Sequence, residues 1–170
     1  VDDFDDGNYN GWLIVDEGST DAPSNWSVID GEMVQSSNIH SGSSFYTYGT
    51  YAYYDEGFNW DNYTVNLKMR SSDNEGIGIL FRYQSGSNYY KFSWNSDQSY
   101  RRLVKKTNNL FRLIAEDSVP YVTGQDYNVK ISVIGSNIEV KVDGVTVFSE
   151  VDTDISSGTI ALYSWGNQNC

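Results

Sequence analysis

Short runs of alternating apolar and polar residues make up most of this chain, and clusters of Gly, Asn, Asp and Ser separate them. The clearest run covers 63–70, where Tyr63, Val65, Leu67 and Met69 alternate with polar residues. A period of two places these four side chains on one face of a β-strand, whereas a helix needs a period near 3.6. Because signals of the helical period are almost absent, the pattern predicts an all-β protein.

The same pattern predicts further strands on both sides of this run. The pair Asp143 and Gly144 between two apolar runs indicates a tight hairpin turn. Many short strands without helices are typical of two antiparallel sheets packed face to face, and the chain length suits a jelly roll. We therefore predict one antiparallel jelly-roll β-sandwich domain over 1–170, with strands at 12–15, 26–29, 32–35, 63–70, 77–84, 89–95, 100–106, 110–116, 127–134, 137–142, 145–149 and 159–165.

Composition and charge narrow the possible partners. The chain carries 11 Lys and Arg against 23 Asp and Glu, and a net charge of -12 repels nucleic-acid phosphate. No apolar run approaches the roughly 20 residues of a membrane span. The acidic balance fits a secreted protein and favours a monomer, and the single cysteine, Cys170, excludes a disulfide within the chain. We expect no nucleic-acid partner and no membrane span.

One segment concentrates the positive charge among aromatic residues. Residues 89–106, YYKFSWNSDQSYRRLVKK, hold five of the 11 Lys and Arg residues and five aromatic residues. Alternation places Tyr90, Phe92 and Trp94 on one face, which we predict to be core, and Lys91 on the other, which we predict to be polar and open to solvent. By the same alternation, Tyr83 shares the face of Ile77 and Phe81. Arg82 and Gln84 lie on the opposite face of 77–84.

The order of segments along the chain resembles a known family. The resemblance rests on FDDGNYNGW, NWSVIDGEMVQSSN, WDNYTVNLKMRSSDNEGIGILFRYQSGSNYYKFSW, YRRLVKK and SSGTIALYSWGNQ. In this order they are similar to concanavalin A-like (laminin-G-like) jelly-roll modules of bacterial secreted proteins, which are related in pattern to the thrombospondin C-terminal domain. The resemblance implies a carbohydrate-binding, lectin-like module, commonly with a structural calcium. It also implies one more strand beyond residue 170, commonly carrying an aspartate.

A sugar site is expected on one sheet face. Aromatic rings cover the apolar patches of sugars, while cationic and amide groups bind hydroxyl or carboxylate oxygens. The alternative is a set of ordinary cross-strand charge pairs, for example with Glu116 or Glu139. The residues expected to converge are Arg82, Gln84, Lys91, Arg102, Tyr163 and Trp165.

The acidic start of the chain is the expected calcium site. Calcium takes six to eight oxygen ligands, and Asp3, Asp5 and Asp6 are candidates to supply two or three of them. A later acidic turn at 73–75 is a second source of ligands. The alternative is a solvated acidic segment without a metal.

Catalytic signatures are weak in this sequence. His40 is the only histidine and lies in a Ser- and Asn-rich stretch, which is typical of polar surface. The paired carboxylates that a glycosidase needs do not stand out, and Glu116 with Asp117 lies at a predicted strand end. We predict a non-catalytic glycan- or polysaccharide-binding module of a secreted or cell-surface protein. The alternatives are a polysaccharide lyase or glycoside hydrolase of the same fold, or a structural adhesive domain of a surface protein.

Overall fold

The computed structural model describes residues 2–42 and 47–170. Within this part of the chain there are thirteen β-strands and no α-helix, which confirms the all-β prediction. None of the described residues forms a helix that would cross a lipid bilayer. The strands are β1 (Trp12–Asp16), β2 (Trp26–Ile29), β3 (Glu32–Gln35), β4 (Thr50–Tyr54), β5 (Tyr63–Met69), β6 (Gly76–Ser85), β7 (Asn88–Asn95), β8 (Tyr100–Thr107), β9 (Leu110–Asp117), β10 (Tyr127–Ile134), β11 (Asn137–Val142), β12 (Val145–Val151) and β13 (Thr159–Trp165).

The strands form two main antiparallel sheets and one separate hairpin. The larger sheet has seven strands in the order β1-β4-β13-β6-β7-β8-β9. The smaller sheet has four strands in the order β12-β11-β10-β5, and β2 and β3 form the hairpin. Sequence-distant strands such as β4, β13 and β6 lie side by side in the larger sheet, as expected of a jelly roll.

The main core lies between the two sheets. Tyr90, Phe92 and Trp94 on β7 are at most 2% exposed and belong to this core, which confirms the predicted inward face of the segment 89–106. Val129 and Ile131 on β10 meet them from the smaller sheet. Burial of these apolar side chains is the main stabilising contribution to such a sandwich.

Strand β4 is the one that the alternation pattern did not predict. Its sequence, TYAYY, has no clear apolar-polar alternation. In the structure β4 lies between β1 and β13, and its first three residues are buried. A strand that is buried on both faces can carry apolar residues at every position. Its sequence therefore need not alternate between apolar and polar residues, and a period of two does not reveal it.

The alternation of β6 changes within the strand. Its pairing with β7 is regular from Gly76 to Phe81 and then shifts between Phe81 and Ser85. Arg82 has a left-handed backbone with φ of 45°, which marks a bulge. Tyr83 therefore joins the aromatic cluster on the face opposite the core, and its predicted placement beside Ile77 and Phe81 is wrong.

Candidate functional site

The larger sheet has a second, aromatic-rich face that points away from the smaller sheet, here called the outer face. A cluster on this face contains the buried side chains of Tyr51, Tyr83, Tyr89 and Tyr163. Phenolic rings carry an apolar surface and a polar hydroxyl, which suits them to polar ligands as well as to packing. Four buried tyrosines on the side away from the main core indicate that this face is more than a solvated surface.

Strand register brings four of the predicted sugar-binding residues onto this face. Tyr163 lies level with Gly78, Ser93 and Arg102 across β13, β6, β7 and β8. Trp165 lies two residues further along β13, and Lys91 on β7 pairs with Leu80, a member of the outer-face cluster. The outer face therefore carries Lys91, Arg102, Tyr163 and Trp165 together.

Small residues lie between these side chains, and the strip of the outer face that they occupy is here called the trough. Its floor is Gly76, Gly78 and Ser93, which leave little side-chain volume above the sheet. Trp165 stands on one side, on β13, and Arg102 stands on the other side, on β8. Three strand spacings separate these backbones, about 14 Å at a usual spacing of about 4.8 Å.

The two sides of the trough are held in place by local contacts. The Trp165 indole lies over Gly76 and its Nε1 donates to the carbonyl of Ser41 at 3.0 Å. The guanidinium of Arg102 stacks on the Tyr100 ring, with Cζ 3.6 Å from the ring centroid, and its Nε pairs with the Glu116 carboxylate. The pairing with Glu116 that the sequence offered as an alternative is thus present, and it also orients the guanidinium.

Lys91 lies on the predicted face of β7 but is only 1% exposed, so the prediction that it is open to solvent is wrong. Its Nζ donates to Oγ1 of Thr47 at 3.1 Å and lies 4.2 Å from the centroid of the Tyr163 ring. Burial lowers the pKa of Lys91 to about 7, and the nearby positive charges of Lys106 and Arg102 act in the same direction, against the carboxylate of Glu17. A lysine with this pKa is partly neutral at physiological pH.

A second buried cation lies on the outer face. Lys106 is 4% exposed, and its Nζ pairs with Oε1 of Glu17 at 3.1 Å. The same Nζ lies 5.1 Å from the ring centroid of Phe111 and 5.5 Å from that of Tyr89. An ion pair enclosed by aromatic rings is strongly positioned because either partner alone would be a buried charge.

His40 belongs to the wall of this region. Its Nδ1 is 2.8 Å from the carbonyl of Asn38, and its ring meets the Trp165 indole edge-on at 6.0 Å between centroids. His40 is half-buried, and these contacts pack it against the Trp165 side of the trough.

Arg82 and Gln84 are not brought together with the other predicted residues. The Arg82 side chain is 1% exposed and donates to the carbonyl oxygens of Ile155, Asp61 and Gly135 at 2.6–2.9 Å. Gln84 donates through Nε2 to the carbonyl of Ser157 at 3.0 Å. The bulge at Arg82 reverses the alternation, so a strict period of two misplaces both residues.

The acidic segment expected to bind calcium is organised by backbone hydrogen bonds. Oδ1 of Asp3 accepts from the backbone N–H of Asp5 at 3.2 Å, and Oδ1 of Asp6 accepts from that of Asn8 at 3.1 Å. In residues 2–42 and 47–170, no three His, Cys, Asp or Glu side chains are grouped to hold a metal ion. Calcium binding by Asp3, Asp5 and Asp6 therefore stays a prediction.

Several residues of the outer face were missed from the sequence. Tyr100 lies two positions before Arg102, so alternation alone placed it on the same face and was a usable signal. Glu17 and Thr47 approach from outside the strands that the alternation had indicated, and no local pattern links them to Lys106 or Lys91. Only the tertiary structure brings these partners together.

Comparison with known proteins supports a carbohydrate-related jelly roll. The family model described as the 3-keto-alpha-glucoside-1,2-lyase-like domain matches residues 1–169. A comparison with curated protein sequences finds no match to this chain. Similarity to the thrombospondin C-terminal domain stays a prediction.

Three solved structures illustrate the shared fold. The carbohydrate-binding module CBM66 from Bacillus subtilis has a TM-score of 0.74 and 17% identity, over 95% of this chain and 92% of that one. The Bacillus licheniformis beta-glucanase has a TM-score of 0.64 and 16% identity, over 98% of this chain and 84% of the glucanase chain. The Caenorhabditis elegans galectin LEC-6 has a TM-score of 0.53 and 16% identity, over 66% of this chain and 81% of the galectin chain. At these identities the likeness concerns the fold alone, and it confirms the predicted jelly-roll class.

Proposed function

The chain belongs to the 3-keto-alpha-glucoside-1,2-lyase-like domain family, and on that premise we propose that it binds a glycan in the trough without catalysing a reaction. The observation that carries the proposal is the pairing of an aromatic side and a cationic side across a floor of small residues. Trp165 offers a flat apolar ring on β13, and Arg102 offers a fixed guanidinium on β8, whose backbone lies about 14 Å away, three strand spacings across the sheet. This width suits one or two sugar rings.

Preorganisation supports binding at this place. The Arg102 guanidinium is stacked on Tyr100 and paired with Glu116, and the Trp165 indole is hydrogen-bonded to Ser41. Side chains that are already ordered lose little conformational entropy when a ligand arrives. A planar guanidinium also suits a carboxylated or sulfated sugar, because it donates two parallel hydrogen bonds to an anion.

A catalytic role is the second candidate, and Lys91 favours it. The name of the family describes lyase-like domains, and a lysine whose pKa lies at about 7 is able to accept a proton at neutral pH. In an elimination on a 3-keto glucoside, a base takes the proton from C2, a C1=C2 double bond forms, and the C1–O bond breaks, so that the released oxygen takes up a proton and leaves as an alcohol. The 1% exposure of Lys91 supports binding over this reaction, because its Nζ is enclosed between Thr47 and the Tyr163 ring.

The proposal also covers where the domain is located and whether it acts alone. An acidic chain with one cysteine suits a secreted or cell-surface protein, in which the domain acts as a monomer or as a module of a larger protein. Modest affinity at a single trough would be raised by tethering to an enzyme or a surface.

Glycan arrays and affinity electrophoresis with neutral and acidic polysaccharides test the binding proposal. We expect Arg102→Met to weaken binding about 10- to 100-fold, the loss expected for a charge-assisted hydrogen bond. We expect Trp165→Ala to weaken binding about 3- to 10-fold. Arg112→Met is the matched control, because Arg112 alternates onto the opposite side of the same β8–β9 hairpin. Absence of binding across the polysaccharides would contradict the proposal.

The catalytic candidate is tested separately with a 3-keto-α-glucoside. Product release is followed by loss of the substrate and by appearance of the unsaturated sugar. The binding proposal expects no turnover by the wild-type protein. Turnover that Lys91→Met abolishes while binding persists would establish the catalytic alternative instead.

A further inference from the structure

A second aromatic surface lies on the outer face beside β1, the edge strand of the larger sheet. Leu13 on β1 pairs in register with Tyr53 on β4, so the two side chains share one face. Phe58, from the loop that follows β4, meets the Tyr53 ring edge-on at 6.0 Å between centroids. Leu13, Tyr53 and Phe58 are here called the corner patch.

The corner patch is open to solvent. Leu13 is 45% exposed, Phe58 is 37% exposed, and Tyr53, the neighbour of both, is half-buried. Single exposed apolar side chains are ordinary on protein surfaces, whereas three neighbouring ones form a continuous apolar area. The patch therefore offers a surface on which a ligand can lie.

Buried tyrosines hold the central ring of the patch in place. The Tyr53 ring stacks on Tyr83 at 5.1 Å between centroids, with 28° between the ring planes. The Tyr83 ring meets Tyr51 edge-on, and the hydroxyl oxygens of these two residues are 3.3 Å apart. Within residues 2–42 and 47–170, the Tyr53 hydroxyl has no hydrogen-bond partner. A fixed ring with a free hydroxyl joins apolar surface to a polar group, and sugars bind to that combination.

The charge around the corner patch indicates which sugars fit it. Strands β1 and β4 and the loop after β4 all precede Lys68, which is the first Lys or Arg residue of the chain. Asp55 and Glu56 in this loop are exposed, so the segments that form the patch contribute only negative charge. Carboxylates repel an anionic ligand, whereas they accept hydrogen bonds from the hydroxyls of an uncharged sugar. The charge therefore favours an uncharged sugar chain.

We propose that the corner patch is a second glycan-binding site, which takes an uncharged polysaccharide. Tyr53 pairs with Ala161, which lies four residues from Trp165 along β13, a distance of about 13 Å. Ala161 and Tyr163, which lie between, are at most 5% exposed, so the patch and the trough are separate surfaces. An open patch binds a single sugar weakly, and a polysaccharide offers it many equivalent sugars. The inference goes beyond the trough and does not require the trough to bind.

Affinity electrophoresis with polysaccharides of different charge tests the proposal on the full 170-residue protein. The probes are hydroxyethyl cellulose, inulin and galactomannan, which are uncharged, and polygalacturonate, which is acidic. We expect Phe58→Ala to weaken binding to an uncharged polysaccharide about 3- to 10-fold. Binding at the trough, followed with polygalacturonate, is expected to stay unchanged. Phe58→Tyr keeps an aromatic ring and is expected to keep the affinity of the wild-type protein.

Val145→Ala is the matched control, because Val145 is 67% exposed at the start of β12 in the smaller sheet. It removes an exposed apolar side chain away from both surfaces, so its affinity is expected to equal that of the wild-type protein. The Tm of each variant shows that it is folded.

Two outcomes would overturn the proposal. The first is an affinity for uncharged polysaccharides that is absent or that Phe58→Ala leaves unchanged, and it would leave the trough untouched. The second comes from sedimentation of the protein without a glycan. A wild-type dimer that Phe58→Ala converts to a monomer would assign the corner patch to contact between two copies of the chain.

Discussion

The buried lysine of the outer face allows a quantitative prediction about pH. Lys91 has a pKa of about 7 in the folded protein, against 10.5 as its usual value, mainly because burial disfavours the charged amine. Between these values the unfolded chain binds one more proton than the folded protein. The free energy of unfolding therefore rises with pH in this window, by up to about 1.4 kcal/mol per pH unit. Below pH 7 both states are protonated, and the cost of burying Lys91 is fully present.

Replacement of Lys91 by methionine removes this proton linkage while it keeps an unbranched side chain of similar length. From about pH 7.5 to about pH 9.5, we expect the stability of the wild-type protein to rise by about 2–3 kcal/mol relative to Lys91→Met. Tyrosine deprotonation opposes the trend only near and above pH 10. Urea denaturation followed by tryptophan fluorescence at several pH values within this window measures both proteins.

The matched control is Lys141→Met, because Lys141 lies on the smaller sheet with a side chain 32% exposed beside Glu139. We expect the free energy of unfolding of Lys141→Met to change with pH in the same way as that of the wild-type protein. A constant difference between wild-type protein and Lys91→Met across the window would refute the reasoning, because it would mean that the buried amine keeps an ordinary pKa.

Two further predictions concern the groups that the structure separates from the trough. Arg82→Met leaves the carbonyls of Ile155, Asp61 and Gly135 without their donor, so we expect urea denaturation to show a loss of about 2–4 kcal/mol of unfolding free energy with glycan affinity unchanged. A loss of affinity without loss of stability would instead place Arg82 at the sugar site. Bound calcium stabilises only the folded state, so we expect chelation by EDTA to lower the Tm, and an unchanged Tm would contradict the calcium prediction.

The pattern of residues along the chain was enough to predict the fold class and the inward face of most strands. In β7, the residues Tyr90, Phe92 and Trp94 alternate with polar ones, and one face of a sandwich strand must be buried, so the period of two was sufficient. The same rule placed Lys91 and Arg102 correctly on the other face. The face on which a side chain lies is a local property, because successive side chains along a strand point to opposite faces of the sheet.

Tertiary structure decided which of those side chains meet and which do not. A single bulge with a left-handed Arg82 turned that arginine toward three backbone carbonyls, and no local pattern announces such a change of alternation. The trough requires β13 and β8 to be brought three strands apart in one sheet, although Arg102 and Trp165 are distant in the chain. Lys91 acquired its low pKa only when Thr47 and the rings of the outer face excluded water from it. Long-range pairing and desolvation depend on the whole fold, and alternation along one strand contains no information about either.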